Sequence, residues 1–131
     1  MKNEGNKWDW NRRLKSFAYA FQGLFYMLKT QHNAWIHGLA AATVLFFSFY
    51  FRISQAEWMF VIIAIGFVFA AESVNTALEK LTDIVSPEKQ VKAGHIKDLA
   101  AGTVLIAAIT ALIIGLIIFI PRICASLCTT F

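Results

Sequence analysis

Apolar residues recur at helical spacing from Trp10 to Lys29. Trp10, Leu14, Phe17, Phe21, Leu24 and Leu28 form one stripe, and Arg12, Arg13, Lys15, Gln22 and Lys29 lie mostly off it. The pattern predicts an amphipathic helix over about 10–30, lying in the membrane interface with basic side chains toward anionic head groups. The competing reading is a helix packed on a soluble core, for which the chain has little soluble protein. Residues 1–9 are polar and are expected to fray.

Beyond this stripe the apolar runs lengthen. A first membrane helix is expected at about 34–51, near the lower length limit for a ~30 Å hydrocarbon core. Ser54 and Glu57 have the Ser-x-x-Glu spacing of a capping box and should start the next helix. Its span is expected at about 58–83, apolar to Ala71 and then polar on one side, ended by Ser86-Pro87. After a polar loop, SPEKQVKAGHI, a third span is expected at about 97–120, stopping before Pro121. Its Ala and Gly content permits close helix contact in lipid. The fold class is thus an all-α membrane protein in one domain, 1–131, with an interfacial helix and three transmembrane helices.

Composition supports lipid as the solvent. The chain is 58% hydrophobic and 15% charged, against about 25% charged for a soluble domain, and its mean hydropathy is +0.59. The net charge of +4 is not a nucleic-acid footprint, because the basic residues sit in short segments between apolar runs. Lys2, Lys7, Arg12, Arg13, Lys15 and Lys29 precede the first span, and Lys80, Lys89, Lys92 and Lys97 surround the second loop. Only Arg52 lies in the first loop, and only Arg122 follows the third span. The positive-inside rule then puts the N-terminus and second loop in the cytoplasm and the C-terminus outside. No cleavable signal peptide is visible, so the spans are expected to direct insertion. Cys124 and Cys128 make neither a zinc site nor a disulfide framework.

The candidate chemistry lies on the second span. Glu72, Asn75, Glu79 and Asp83 fall within a sector of roughly 80° on a helix turning ~100° per residue. Glu72 is the deepest, directly after the apolar run, and an ionisable group there usually faces a bundle interior or a cavity. For Asp83 and Lys80 the plain alternative is a helix end rising into water. Asp98 has a cheap explanation near a helix N-terminus. Lys97 beside it runs against the helix dipole, so it either has an anionic partner, such as a stripe carboxylate or a phosphate, or snorkels to the interface. No phosphate-loop, protein-kinase or His-Glu-x-x-His motif is present. His32, His37 and His95 read as interface or loop residues.

The segments AESVNTALEKLTDIVSP and KAGHIKDLAAGTVLIAA closely resemble the small bacterial membrane kinases of diacylglycerol and undecaprenol. The family pattern is Glu-x-x-Asn-Ser/Thr-Ala-Ile/Leu-Glu, followed some twenty residues on by Lys-Asp-x-Ala/Gly-Ala/Gly. Here it falls at Glu72, Asn75, Thr76, Ala77, Leu78, Glu79, Lys97 and Asp98. RRLKSFAYAFQGL resembles the family's surface helix, and NAWIH resembles the start of its first span, so the likeness covers about 12–120.

The resemblance implies a homotrimer in the bacterial inner membrane, with sites shared between subunits, using ATP and Mg²⁺ to phosphorylate the primary hydroxyl of a lipid alcohol. It makes Glu72 the general base, with Asn75 orienting groups beside it. Glu79 and Gln31 hold metal; Arg12, Tyr19, Glu79, Lys97 and Asp98 bind nucleotide; and Lys15 joins Glu72 on the lipid substrate. The physics agrees: a carboxylate short of water is a stronger base, and phosphoryl transfer needs positioning and charge neutralisation more than covalent chemistry. One departure matters. Where the family usually has a second metal carboxylate, this chain has Gln31, which offers an oxygen but no charge. The competing functions are a proton or ion pathway through Glu72, and a non-enzymatic membrane subunit. A proton pathway gives no reason for Asn75, Glu79 and Lys97. Diacylglycerol and undecaprenol stay open as substrates, with the Asn33-x-x-Ile36-His37 segment leaning to the undecaprenol branch.

Overall fold

A computed structural model of the chain describes residues 10–88 and 90–128. The basic residues Lys2, Lys7 and Lys89 and the expected fraying of 1–9 lie outside the described residues. Within them the structure is helical: α1 (Trp10–Thr30), α2 (His32–Tyr50), α3 (Gln55–Val85) and α4 (Val91–Cys128).

A single extended residue, Gln31 with φ −106° and ψ 116°, separates α1 from α2 and forms an elbow. The apolar stripe of α1 does not pack on the chain's own core. Leu14, Phe17 and Phe21 are 64%, 66% and 61% exposed, as an interfacial helix requires and a soluble core helix does not.

The α2–α3 turn is built from backbone bonds. The Arg52 N–H donates to the Phe49 carbonyl and the Ile53 N–H to the Ser48 carbonyl, each at 3.2 Å. This is the Schellman arrangement, and Arg52 takes its left-handed position at φ 48°. Ser54 then caps α3 as expected: Glu57 N–H donates to Ser54 Oγ, and Ser54 N–H donates to Glu57 Oε2. At the other end α3 stops at Ser86, whose N–H reaches the Thr82 carbonyl at 2.8 Å.

Two boundaries of the last helix differ from expectation. α4 starts at Val91, so the polar loop is short and Lys97 and Asp98 lie in the second turn. The helix-dipole arguments for both residues therefore lapse, because the effect is confined to the first turn. α4 also runs through Pro121 to Cys128 instead of stopping before it. Proline removes the N–H that the Ile117 carbonyl would use, a break costing about 3 kcal/mol in isolation. A side-chain donor acts beside that gap: Arg122 Nη1 donates to the Ile118 carbonyl at 2.8 Å.

α3 and α4, of 31 and 38 residues, are long and apolar enough to cross a membrane. At ~1.5 Å per residue both exceed a ~30 Å hydrocarbon core, so their ends project from it. α2 has 19 residues and carries His32, Asn33 and His37 in its first half, so its uninterrupted apolar stretch is shorter than those of the other two. α3 packs chiefly along the antiparallel α4. Ile53, Val61 and Ile118 form a buried cluster at the α2–α3 turn, joined by Phe51, Trp58 and Phe119.

Candidate active site

The buried face of α3 begins apolar and ends polar. Val61, Ala64 and Val68 are followed, at the same helical spacing, by Glu72, Asn75, Thr76 and Thr82. The threonines are satisfied within their own helix: Thr76 Oγ1 donates to the Glu72 carbonyl at 2.9 Å and Thr82 Oγ1 to the Leu78 carbonyl at 2.7 Å. The Glu72 carboxylate and the Asn75 side-chain carbonyl are not. Glu72 is 1% exposed, and both its carboxylate oxygens, with Asn75 Oδ1, are buried without a hydrogen-bond partner. A lone carboxylate is expensive to hold in such a place, and groups of this kind mark functional positions more often than structural ones.

The elbow brings a second element onto this face. Gln31 Nε2 donates to Glu79 Oε2 at 3.3 Å, and Asn75 Nδ2 donates to Glu79 Oε1 at 3.5 Å. Gln31, Asn75 and Glu79 therefore form a connected set, with Glu72 one turn deeper. The adjoining Met27 and Ala34 are 2% and 0% exposed, which fixes the elbow against the bundle.

Lys97 Nζ pairs with Asp83 Oδ1, one of the two alternatives its sequence position left open. Asp83 thus turns off the polar stripe toward α4, where both members are partly exposed. Asp98 is exposed on the following position. Arg12, Lys15 and Tyr19 are exposed on α1, and none of them hydrogen-bonds to Glu72 or Glu79. The site is thus partly assembled: Gln31, Asn75 and Glu79 meet, Lys97 meets Asp83, and the α1 residues stay apart.

One residue near Glu72 was missed. His37 lines the space between α2, α3 and α4 together with Val68 and Phe69, which lie on α3 one turn before Glu72. The signal was present, because Ala34, His37, Ala41, Val44 and Ser48 follow a three–four spacing that forms the inward stripe of α2.

Among the described residues there is no group of three His, Cys, Asp or Glu side chains that could hold a metal. The donor set at the elbow is one carboxylate and two amides. That suits Mg²⁺ bound to phosphates, because this ion uses one or two carboxylates and fills its shell with phosphate oxygens and water. Gln31 turns its amide nitrogen to Glu79, and a rotation of the amide by half a turn presents its oxygen instead.

The profile of the prokaryotic diacylglycerol kinase family matches residues 18–119 of this chain. The chain belongs to that family. With it the chain joins the lipid kinases, which are membrane enzymes. An undecaprenol kinase of Bacillus subtilis is 36% identical over 122 residues, covering 93% of this chain and 99% of that protein. A diacylglycerol kinase of Synechocystis is 33% identical over 109 residues, covering 82% of this chain and 62% of that longer protein. The family match contains Tyr19, Gln31, His37 and the whole α3 face, and it begins after Arg12 and Lys15.

Proposed function

We propose that this lipid kinase transfers the γ-phosphoryl group of ATP, bound with Mg²⁺, to the primary hydroxyl of a membrane lipid alcohol. The product is a phosphatidic acid or an undecaprenyl phosphate. The observation that carries this reading is Glu72, buried to 1% exposure with both carboxylate oxygens unpartnered. A hydroxyl supplies the donor this carboxylate lacks, and Glu72 takes its proton as the hydroxyl oxygen attacks phosphorus. Asn75, one turn away, orients groups through its amide. Glu79 and Gln31 are the residues that would hold Mg²⁺, which supplies charge neutralisation on the phosphates. Lys97 serves the nucleotide, exchanging Asp83 for phosphate oxygen, with Asp98 beside it.

The same proposal makes α2 the third span and the protein a homotrimer. Arg12, Lys15 and Tyr19 are exposed on α1, away from the chain's own Glu72, where a neighbouring subunit's site can use them. Phe60, Ile63 and Phe67 on α3 are large apolar residues left uncovered by this chain. Basic residues cluster before α2 and around the α3–α4 connection, so both lie on the cytoplasmic side of the bacterial inner membrane. The test is ATP consumption by the purified protein with diacylglycerol, with undecaprenol, and without lipid alcohol. Consumption that depends on one alcohol supports the reading and names the substrate. Consumption that ignores both, or none at all, overturns it.

A further inference from the structure

A groove of about 440 Å³ runs between α2, α3 and α4. Its lining is hydrocarbon along its whole length, with one exception. At the end nearest Glu72 the lining includes His37, whereas the other end reaches Ile123 beyond Pro121. The α4 wall from Ala108 to Ile123 is about 22 Å long, most of a ~30 Å hydrocarbon core. Ala40, Ala41, Ala64, Ala108 and Ala111 keep the groove open with small side chains. An apolar channel with one polar group beside a buried, unpartnered carboxylate has the form of a long hydrocarbon that ends in a hydroxyl.

We propose that His37 is a further catalytic residue that holds the hydroxyl of the acceptor alcohol against Glu72, while the alcohol's hydrocarbon chain lies in this groove. The inference rests on the lipid-kinase reading above. A hydroxyl has one proton and two lone pairs. The proton is donated to Glu72, one lone pair accepts a hydrogen bond from the His37 N–H, and the second attacks the γ-phosphorus. As the new O–P bond forms, the bond from phosphorus to the ADP oxygen breaks, ADP leaves, and the hydroxyl proton stays on Glu72. His37 keeps its proton throughout. Without it the hydroxyl loses the donor that the groove wall supplies, and orientation of this kind is what a positioned donor contributes.

The experiment measures lipid and ATP kinetics in mixed micelles for the wild type, His37→Leu, His37→Gln and Gly115→Phe. His37→Leu is expected to raise the KM for the lipid alcohol about tenfold and to lower kcat, with the KM for ATP within twofold of wild type. His37→Gln keeps an N–H donor and is expected to recover most of the loss. Gly115→Phe fills the groove part-way along its length, so long-chain alcohols should lose turnover while a short-chain alcohol is still phosphorylated. Unchanged lipid kinetics in His37→Leu, no recovery in His37→Gln, or equal loss of short and long acceptors in Gly115→Phe would overturn the inference. A wild type that phosphorylates no alcohol would defeat the kinase reading itself, which separates the two failures.

Discussion

Arg122 Nη2 lies 2.7 Å from Glu57 Oε2, joining the end of the apolar stretch of α4 to the first turn of α3. Glu57 also closes the Ser54 capping box, accepting from Ser54 N–H at 2.8 Å and Ser54 Oγ at 2.7 Å. With Lys97–Asp83 at the opposite end, the antiparallel α3–α4 pair has an ion pair near each end. Both pairs form at one axial register of the two helices, the same register that packs Val61 against Ile118.

Loss of the outer pair should therefore loosen the bundle. The pair is partly exposed, so Arg122→Gln is expected to cost about 1 kcal/mol. Glu57→Ala should cost more, since it removes the pair and the reciprocal half of the capping box, the bond from Ser54 N–H, as well. Thermal unfolding in detergent, followed by circular dichroism, should rank the midpoints as wild type, Arg122→Gln, then Glu57→Ala. Equal midpoints in all three would show that the latch contributes nothing.

Gln31 should set the metal requirement. A neutral amide is a weaker ligand than a carboxylate for a hard cation, and Gln31 already touches Glu79 at 3.3 Å. Gln31→Glu is expected to lower the Mg²⁺ concentration for half-maximal activity, and Glu79→Gln to leave almost no activity. The check is a Mg²⁺ titration at saturating ATP and lipid. An unchanged or higher midpoint for Gln31→Glu would remove Gln31 from the metal shell and make Asp83 the next candidate.

Cys124 and Cys128 are both exposed at the end of α4, so they report its side of the membrane. A membrane-impermeant thiol reagent should label them in intact spheroplasts. Labelling only after the membrane is broken would reverse the topology.

Much of this site was legible because helical period is a local property. The spacing of Glu72, Asn75 and Glu79 placed them together before any packing was known, and the Ser54–Glu57 cap was written in four residues. Contacts between helices were not legible in that way. Gln31 reaches Glu79 only because one extended residue folds α1 back from α2, and the family resemblance, not the pattern, pointed to it. His37 was passed over as an interface residue, although its position in the inward stripe of α2 was there to read. Pro121 misled for a physical reason. Its cost is local, whereas the donor beside it, Arg122, is held by Glu57 on another helix. Arg12, Lys15 and Tyr19 lie exposed on α1, and it is the proposed trimer that would bring them to a neighbouring subunit's site.

The central claim is that Glu72 is the base in phosphoryl transfer to a lipid alcohol. It is tested most directly by transfer of labelled γ-phosphate from ATP to the lipid acceptor, comparing the wild type with Glu72→Gln at equal amounts of folded, membrane-inserted protein. Glutamine keeps the shape and removes the basic oxygen, so turnover should fall roughly 10²–10⁴-fold with expression and assembly unchanged. Near-wild-type turnover in the Glu72→Gln protein would contradict the account.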